Sequence, residues 1–308
     1  MAIIILLCIV AAALLGGAYY AYRIAFYAPM KDREKEPSAE AAQYDPFRDE
    51  IVRLFRQISQ RPCESVTIQS YDGLTLFGRY YHVKDGAPLD IGFHGYRSSS
   101  FTDFAGGSEL SFRLGHNLLL VDQRAHGKSE GRTIAFGVQE RWDVLSWVEY
   151  AVDRFGPDTK ITLYGVSMGA ATVLMASGLE LPENVKGIIA DCPYSSPMDI
   201  ILHVGRTNPL PQWLIRPFVI LGAKIFGGFD IQEMDAGRAV QNATVPILII
   251  HGKADGFVPC DMSGPAYDAN PKLVTRLTFP GADHALSYMV DTQRYWQVVT
   301  KFMEKILK

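Results

Sequence analysis

The sequence predicts an α/β fold built on a mostly parallel sheet with helices on both faces, and two observations carry that prediction. From residue 89 onward, short apolar runs recur at 89–94, 117–122, 160–165, 185–190, 246–251 and 274–279, and helix-patterned stretches separate most of them. Strands that are apolar along their whole length, rather than at every second residue, belong to a sheet covered on both sides. The second observation is a hairpin signal ahead of this series. Runs 65–69 and 74–82 flank the turn Tyr71-Asp72-Gly73, so the sheet begins antiparallel and reaches about eight strands.

The N-terminal segment reads differently. Residues 2–22 carry no charged side chain, and as a helix they would run about 30 Å, the thickness of a bilayer's hydrocarbon core. Tyr19, Tyr20, Tyr22 and Tyr27 gather at the far end, where an aromatic belt would meet the interface. A single membrane anchor over residues 1–29 is the expectation. A cleaved secretory signal competes, with Gly16 and Ala18 as small residues before a cut, but the basic n-region is missing. A lipoprotein signal at Cys8 is set aside because Ile5-Leu6-Leu7 offers no small residue, and a core helix does not suit a terminal segment that is apolar all round. Arg23, Lys31, Arg33 and Lys35 follow the segment, which by the positive-inside rule puts the main domain in the cytoplasm.

Residues 30–45, with the run Lys31-Asp32-Arg33-Glu34-Lys35-Glu36-Pro37, read as a solvated juxtamembrane linker. Residues 46–60 place Phe47, Ile51, Leu54, Phe55 and Ile58 at helical spacing, which predicts an amphipathic helix packed on the domain or lying on a membrane. Helices are expected at 104–114, at 138–155 with a stop at Gly156-Pro157, at 168–178 and at 292–307. Residues 195–236 break the alternation with many large apolar residues and no strand, and are expected to form a helical lid inserted into a domain spanning 46–308.

Composition removes several classes of function. The 308 residues suffice for one large α/β domain, and 48% hydrophobic with 20% charged residues is ordinary for a folded chain. The net charge of -3 supplies no basic excess for a nucleic-acid backbone. The four cysteines, Cys8, Cys63, Cys192 and Cys260, form no C-x-x-C pair, so neither a zinc nor a redox motif is present. One disulfide among the last three stays open beside buried free thiols. No H-E-x-x-H and no phosphate-loop or dinucleotide glycine pattern occurs, so neither metal nor cofactor is expected.

The chemistry concentrates in Gly165-Val166-Ser167-Met168-Gly169, placed between an apolar strand and a helix of small residues. A sharp strand-to-helix turn projects the central side chain above the sheet, and the helix N-terminus offers free N–H groups to a developing oxyanion. Ser167 needs a base and the base needs a carboxylate. His284, in Pro280-Gly281-Ala282-Asp283-His284, follows the last apolar strand, and Asp255, in His251-Gly252-Lys253-Ala254-Asp255, follows the strand before it. Each has a bland alternative: an idle serine, an exposed loop histidine, an Asp-Gly turn residue. The order Ser167, Asp255, His284, each at a strand's end, favours a triad. The oxyanion donors are expected to be the N–H groups of Met168 and of Tyr96, in His94-Gly95-Tyr96-Arg97, with His94 orienting that loop.

Taken together, His94-Gly95-Tyr96, the segment 122–129 (Asp-Gln-Arg-Ala-His-Gly-Lys-Ser), the elbow at 165–169, the segment 251–259 and Gly281-Ala282-Asp283-His284-Ala285 resemble the α/β-hydrolase superfamily. Within it the chain resembles bacterial membrane-anchored serine hydrolases of the serine aminopeptidase and lysophospholipase-like branch. The resemblance covers about residues 66–308. It implies that Asp122, His126 and Ser129 shape a structural turn, with Ala125 where glycine is commoner. It also ranks Asp255, followed by Gly256-Phe257-Val258-Pro259, above Asp191 as the acid. The implied function is hydrolysis of a small-molecule or lipid acyl ester through an acyl-enzyme. Trp213, Leu214, Ile215, Phe218, Val219, Ile220 and Phe226 would furnish an apolar lid. A serine peptidase or aminopeptidase would use the same triad and could hold a substrate ammonium with Asp230, Glu233 or Asp235. An idle binding scaffold is the third reading.

Overall fold

The computed structural model describes residues 1–29 and 42–308. The expected linker therefore lies outside the described residues up to position 41. From Ala42 the chain is already a 3-10 turn, Ala42–Phe47, running into helix α2, Arg48–Gln60. Leu54 and Ile58 of α2 are buried, so the amphipathic helix packs on the domain.

Eight strands form one sheet. The hairpin β1 (Glu64–Gln69) and β2 (Thr75–Tyr81) is antiparallel, and β2 pairs antiparallel with β4 (Asn117–Asp122). From there β3 (Leu89–Phe93), β5 (Ile161–Val166), β6 (Val185–Asp191), β7 (Ile247–Gly252) and β8 (Val274–Phe279) run parallel, in the order β1-β2-β4-β3-β5-β6-β7-β8. Strands β3, β4, β5 and β7 are buried at every residue. Their side chains alternate between two cores. Leu119, Val121, Leu163 and Ile249 face one, and Leu118, Leu120, Tyr164 and Ile250 the other. That explains the unbroken apolar runs in the sequence.

The crossovers are helical. α3 (Ser100–Asp103) and α4 (Ala105–Arg113) link β3 to β4; α4 is the helix expected at 104–114, and the short α3 ahead of it was not expected. Ser99 caps α3 by accepting the Thr102 N–H, which fixes where the loop after β3 becomes a helix. α5 (Glu140–Phe155) ends at Gly156, whose φ of +94° suits glycine, and Pro157 prevents continuation. α6 (Met168–Ala176) follows β5. Between β6 and β7 lie α7 (Pro197–Val204), a 3-10 turn Gly205–Thr207, α8 (Gln212–Leu221), a π-helical turn Gly222–Gly227, and α9 (Ala236–Val240). α10 (Gly264–Ala269), α11 (Ser287–Val290) and α12 (Thr292–Ile306) complete the fold.

The N-terminal helix α1, Ala2–Ala25, is the one described helix long and apolar enough to cross a membrane. Its last third does not project freely. Ala18, Tyr22 and Phe26 are buried, with Gly17 against the ring of Phe218 and the Ala18 carbonyl against Gly222. Tyr22 hydrogen-bonds Thr133 rather than facing an interface, so only Tyr19 and Tyr20 stand out from the helix as a belt requires. All four cysteines are free thiols, but only Cys192 is buried: Cys8 and Cys63 are exposed.

Candidate active site

β5 ends at Val166, and the chain turns into α6 at Ser167, whose φ is +55°. A methyl group on Gly165 would overlap the Gly169 carbonyl, and one on Gly169 would overlap the Phe93 carbonyl. The two glycines are therefore required by the closeness of the turn. Positive φ at a non-glycine residue stores strain of roughly 1–3 kcal/mol. Ser167→Gly should release more than the extra chain entropy of glycine costs, for a net gain of about 1 kcal/mol or roughly 2–4 °C in Tm. Ser167→Ala, which keeps its Cβ, should show no such gain in the same thermal unfolding experiment.

Ser167 Oγ lies 3.0 Å from His284 Nε2, and His284 Nδ1 lies 2.8 Å from Asp255 Oδ2. All three residues are buried. The arrangement fixes the tautomer: Nδ1–H donates to the carboxylate, which leaves the Nε2 lone pair to accept the serine hydroxyl. Asp255 Oδ1 accepts the N–H groups of Phe257 and Val258 at 3.0 and 2.7 Å, so the carboxylate cannot rotate freely. Burial alone would raise the Asp255 pKa. The hydrogen bonds from His251, His284 and the Val258 N–H outweigh it and hold the carboxyl well below the usual range. Phe257 packs on the imidazole, ring centres 5.1 Å apart.

Asp191, the rival acid, lies elsewhere in the network. Tyr295 donates to its Oδ2 at 2.8 Å, and its Oδ1 has no partner among the described residues. Burial pushes its carboxyl up to about 6. It lines a cavity of about 90 Å³ together with Val166 and Ala285, the neighbours of Ser167 and His284, and with Tyr44 and Phe55. Cys192 Sγ, Asp255 and His284 cluster within 4.8 Å. Burial raises the Cys192 thiol well above its ordinary value, so it stays protonated and is no rival nucleophile.

The N–H groups of Tyr96 and Met168 make no hydrogen bond among the described residues. Met168 opens α6, and Gly95 sits against Ser167: a methyl there would stand 3.2 Å from Ser167 Cβ. His94 steers this loop, as its sequence position implied. Its Nδ1–H donates to the Gly95 carbonyl at 2.8 Å, and its Nε2 accepts the Gln123 N–H at 3.1 Å. Asp122 and Ser129 shape the turn after β4. Asp122 accepts from Arg79 at 2.9 Å and from the Lys128 N–H at 3.1 Å, and Ser129 Oγ accepts the Phe77 N–H at 2.8 Å. Ala125 holds the left-handed φ of +63° there, the reason glycine suits the position.

Three residues escaped the sequence reading. His251 Nε2–H donates to the Val258 carbonyl at 2.9 Å and stands 3.3 Å from Asp255 Oδ2, the same oxygen that His284 engages. The four-residue spacing from Asp255 was the available signal. Asp103 accepts the Gly95 N–H and the Ser98 hydroxyl, and Arg97 donates its N–H to His126 Nε2 at 2.9 Å. Only chain folding brings these together. The acids considered for an ammonium are engaged: Glu233 pairs with Arg141, Asp235 caps α9 by accepting the Arg238 N–H, and Asp230 accepts the Gln232 N–H.

A family model for the alpha/beta hydrolase fold matches residues 92–237, the stretch that contains the loop after β3 and the turn at Ser167. The uncharacterized protein YqkD of Bacillus subtilis is 25% identical over 254 residues, covering 82% of this chain and 83% of its own. The Pyrococcus furiosus esterase Pf2001 superposes with a TM-score of 0.67 at 22% identity, covering 82% of this chain and 94% of its own. Est1E of Butyrivibrio proteoclasticus, solved with ferulic acid bound, gives a TM-score of 0.62 at 23% identity over 79% of this chain and 99% of its own. The eight-stranded, mostly parallel sheet, the family model over residues 92–237 and these superpositions together give this chain the α/β-hydrolase fold.

Proposed function

We propose that the protein is a serine hydrolase that cleaves acyl esters, held at a membrane by α1. One observation carries the reading: the imidazole of His284 bridges Ser167 Oγ and Asp255 Oδ2 at hydrogen-bond distance on both sides. In the first step Ser167 Oγ attacks the ester carbonyl while His284 Nε2 takes its proton. The carbonyl oxygen gains negative charge beside the N–H groups of Tyr96 and Met168. The C–O bond to the alcohol then breaks, and His284 returns the proton to the leaving oxygen. Water repeats the sequence on the acyl-enzyme and releases the acid.

Ester cleavage is favoured over aminopeptidase activity because the acids near the insertion are committed to a salt bridge, a helix cap and a turn. An apolar acyl group is favoured by the insertion between β6 and β7, where Val204, Leu210, Trp213 and Ile225 are exposed, Trp213 to 75%. Large exposed apolar residues carried on one insertion suit contact with lipid or an apolar ligand. A retained anchor is favoured over a cleaved signal by the burial of Ala18, Tyr22 and Phe26 in the domain.

The test is turnover of p-nitrophenyl esters from acetate to dodecanoate by the full chain, against aminoacyl p-nitroanilides. Ester turnover that rises in kcat/KM by about tenfold or more from acetate to a longer acyl chain is expected, at roughly 0.8 kcal/mol per buried methylene. Turnover of the anilides with none of the esters would reverse the assignment.

A further inference from the structure

The end of α1 is wired into the loop that carries the proposed oxyanion donor. Helix carbonyls in the last turn have no intrahelical partner, and the last turn carries the negative end of the helix dipole. Here the Tyr96 hydroxyl donates to the Ala25 carbonyl at 2.8 Å, and Arg97 Nη2 donates to the carbonyls of Ile24 and Tyr27 at 2.9 and 3.1 Å. Arg97 itself sits at φ +51°, a strained conformation held by its N–H on His126. The residues after the helix are fixed as well. The Ala28 N–H donates to the Arg132 carbonyl, the Ile134 N–H donates to the Phe26 carbonyl, and Tyr27 bridges to Thr133. That segment leads to Phe136, which stacks on the Tyr96 ring at 5.0 Å and meets Phe26 edge-on at 5.8 Å. Phe26 is fully buried, and α1 also packs along α8 and the π-helical turn.

We propose that the last turn of α1 is part of the active-site scaffold, and that Arg97 and the Tyr96 hydroxyl are positioning residues that seat the Tyr96 N–H through it. The inference rests on the hydrolase reading and extends it: the membrane segment and the oxyanion loop form one unit, so a disturbance of the helix end is felt in the chemical step. Neither side chain is needed to touch substrate. Loss of a single oxyanion donor lowers kcat by about 10²–10³, and a displaced donor loses part of that.

The experiment uses the full chain in nanodiscs, with active sites titrated by a fluorophosphonate so that kcat is expressed per competent site. Arg97→Ala is expected to lower kcat about tenfold or more with KM changed less than twofold. Arg97→Lys, which can still reach one carbonyl, should fall between Arg97→Ala and the wild type. Phe26→Leu, which acts on the loop through Phe136, should lower kcat in the same way. The double variant should be no slower than the slower single one, because both act through the same seat. Folding damage alone would lower the number of titrated sites and leave kcat per site unchanged, which would overturn the proposal. A multiplying double variant, or a rise in KM with kcat constant, would also overturn it, the latter by assigning Arg97 to substrate binding. If the wild type is not titrated at Ser167, the hydrolase reading itself fails and the proposal falls with it.

Discussion

Ser167→Ala is expected to lower kcat on any ester the protein turns over by a factor on the order of 10⁵, and His284→Ala by a similar factor. The two losses should not multiply. The hydroxyl is nucleophilic only while the imidazole accepts its proton, so removing either partner removes the same step. Ser167 Oγ and His284 Nε2, 3.0 Å apart, act as one unit. The double variant should thus match the single ones, with residual turnover from the oxyanion donors alone. KM should stay within a fewfold of wild type, since neither change alters the walls of the substrate site. The measurement is steady-state turnover of a p-nitrophenyl ester, with circular dichroism to establish folding.

Asp255→Asn is expected to cost about 10⁴ in kcat while leaving the fold intact. The reason lies in how the carboxylate is held. Oδ1 accepts two backbone N–H groups, from Phe257 and Val258, so an asparagine must keep its carbonyl oxygen on that side. Its NH2 group then occupies the place of Oδ2, 2.8 Å from His284 Nδ1. A donor there selects the tautomer with the proton on Nε2, which cannot accept the proton of Ser167. His251 Nε2, 3.3 Å from the same Oδ2, would face that NH2 group too, so its brace on the acid is lost along with the tautomer. Asp191→Asn is the natural control. Asp191 is hydrogen-bonded to Tyr295 and not to His284, so this change should leave kcat within a fewfold. Equal losses in both variants, read in the same assay, would contradict the assignment of the acid.

The sheet and the residues that meet at its rim were legible because each lies in a local pattern. Apolar strands such as 117–122 and 161–166 announce themselves by length and by the glycines and acids that end them. Ser167, Asp255 and His284 each sit one to five residues beyond such a strand, and a parallel sheet brings those ends to one edge. What stayed hidden depends on contacts between distant segments. Nothing in the pattern of residues 2–26 marks Tyr22 and Phe26 as core, because an apolar helix reads alike whether lipid or protein covers it. Arg97 reads as a surface charge until the chain brings the end of α1 beside it. The short α3 ahead of α4 is equally non-local: Phe104, between the two helices, packs its ring edge-on against Tyr164 of β5. His251 lies inside an otherwise apolar strand, and only the turn after β7 brings Asp255 back against it.

The most direct test of the whole account is to react the full chain with a fluorophosphonate and locate the adduct by peptide mass spectrometry. A single adduct on the peptide containing Ser167, absent in His284→Ala, is the predicted result. An adduct on another serine, or none on a folded protein, would contradict it.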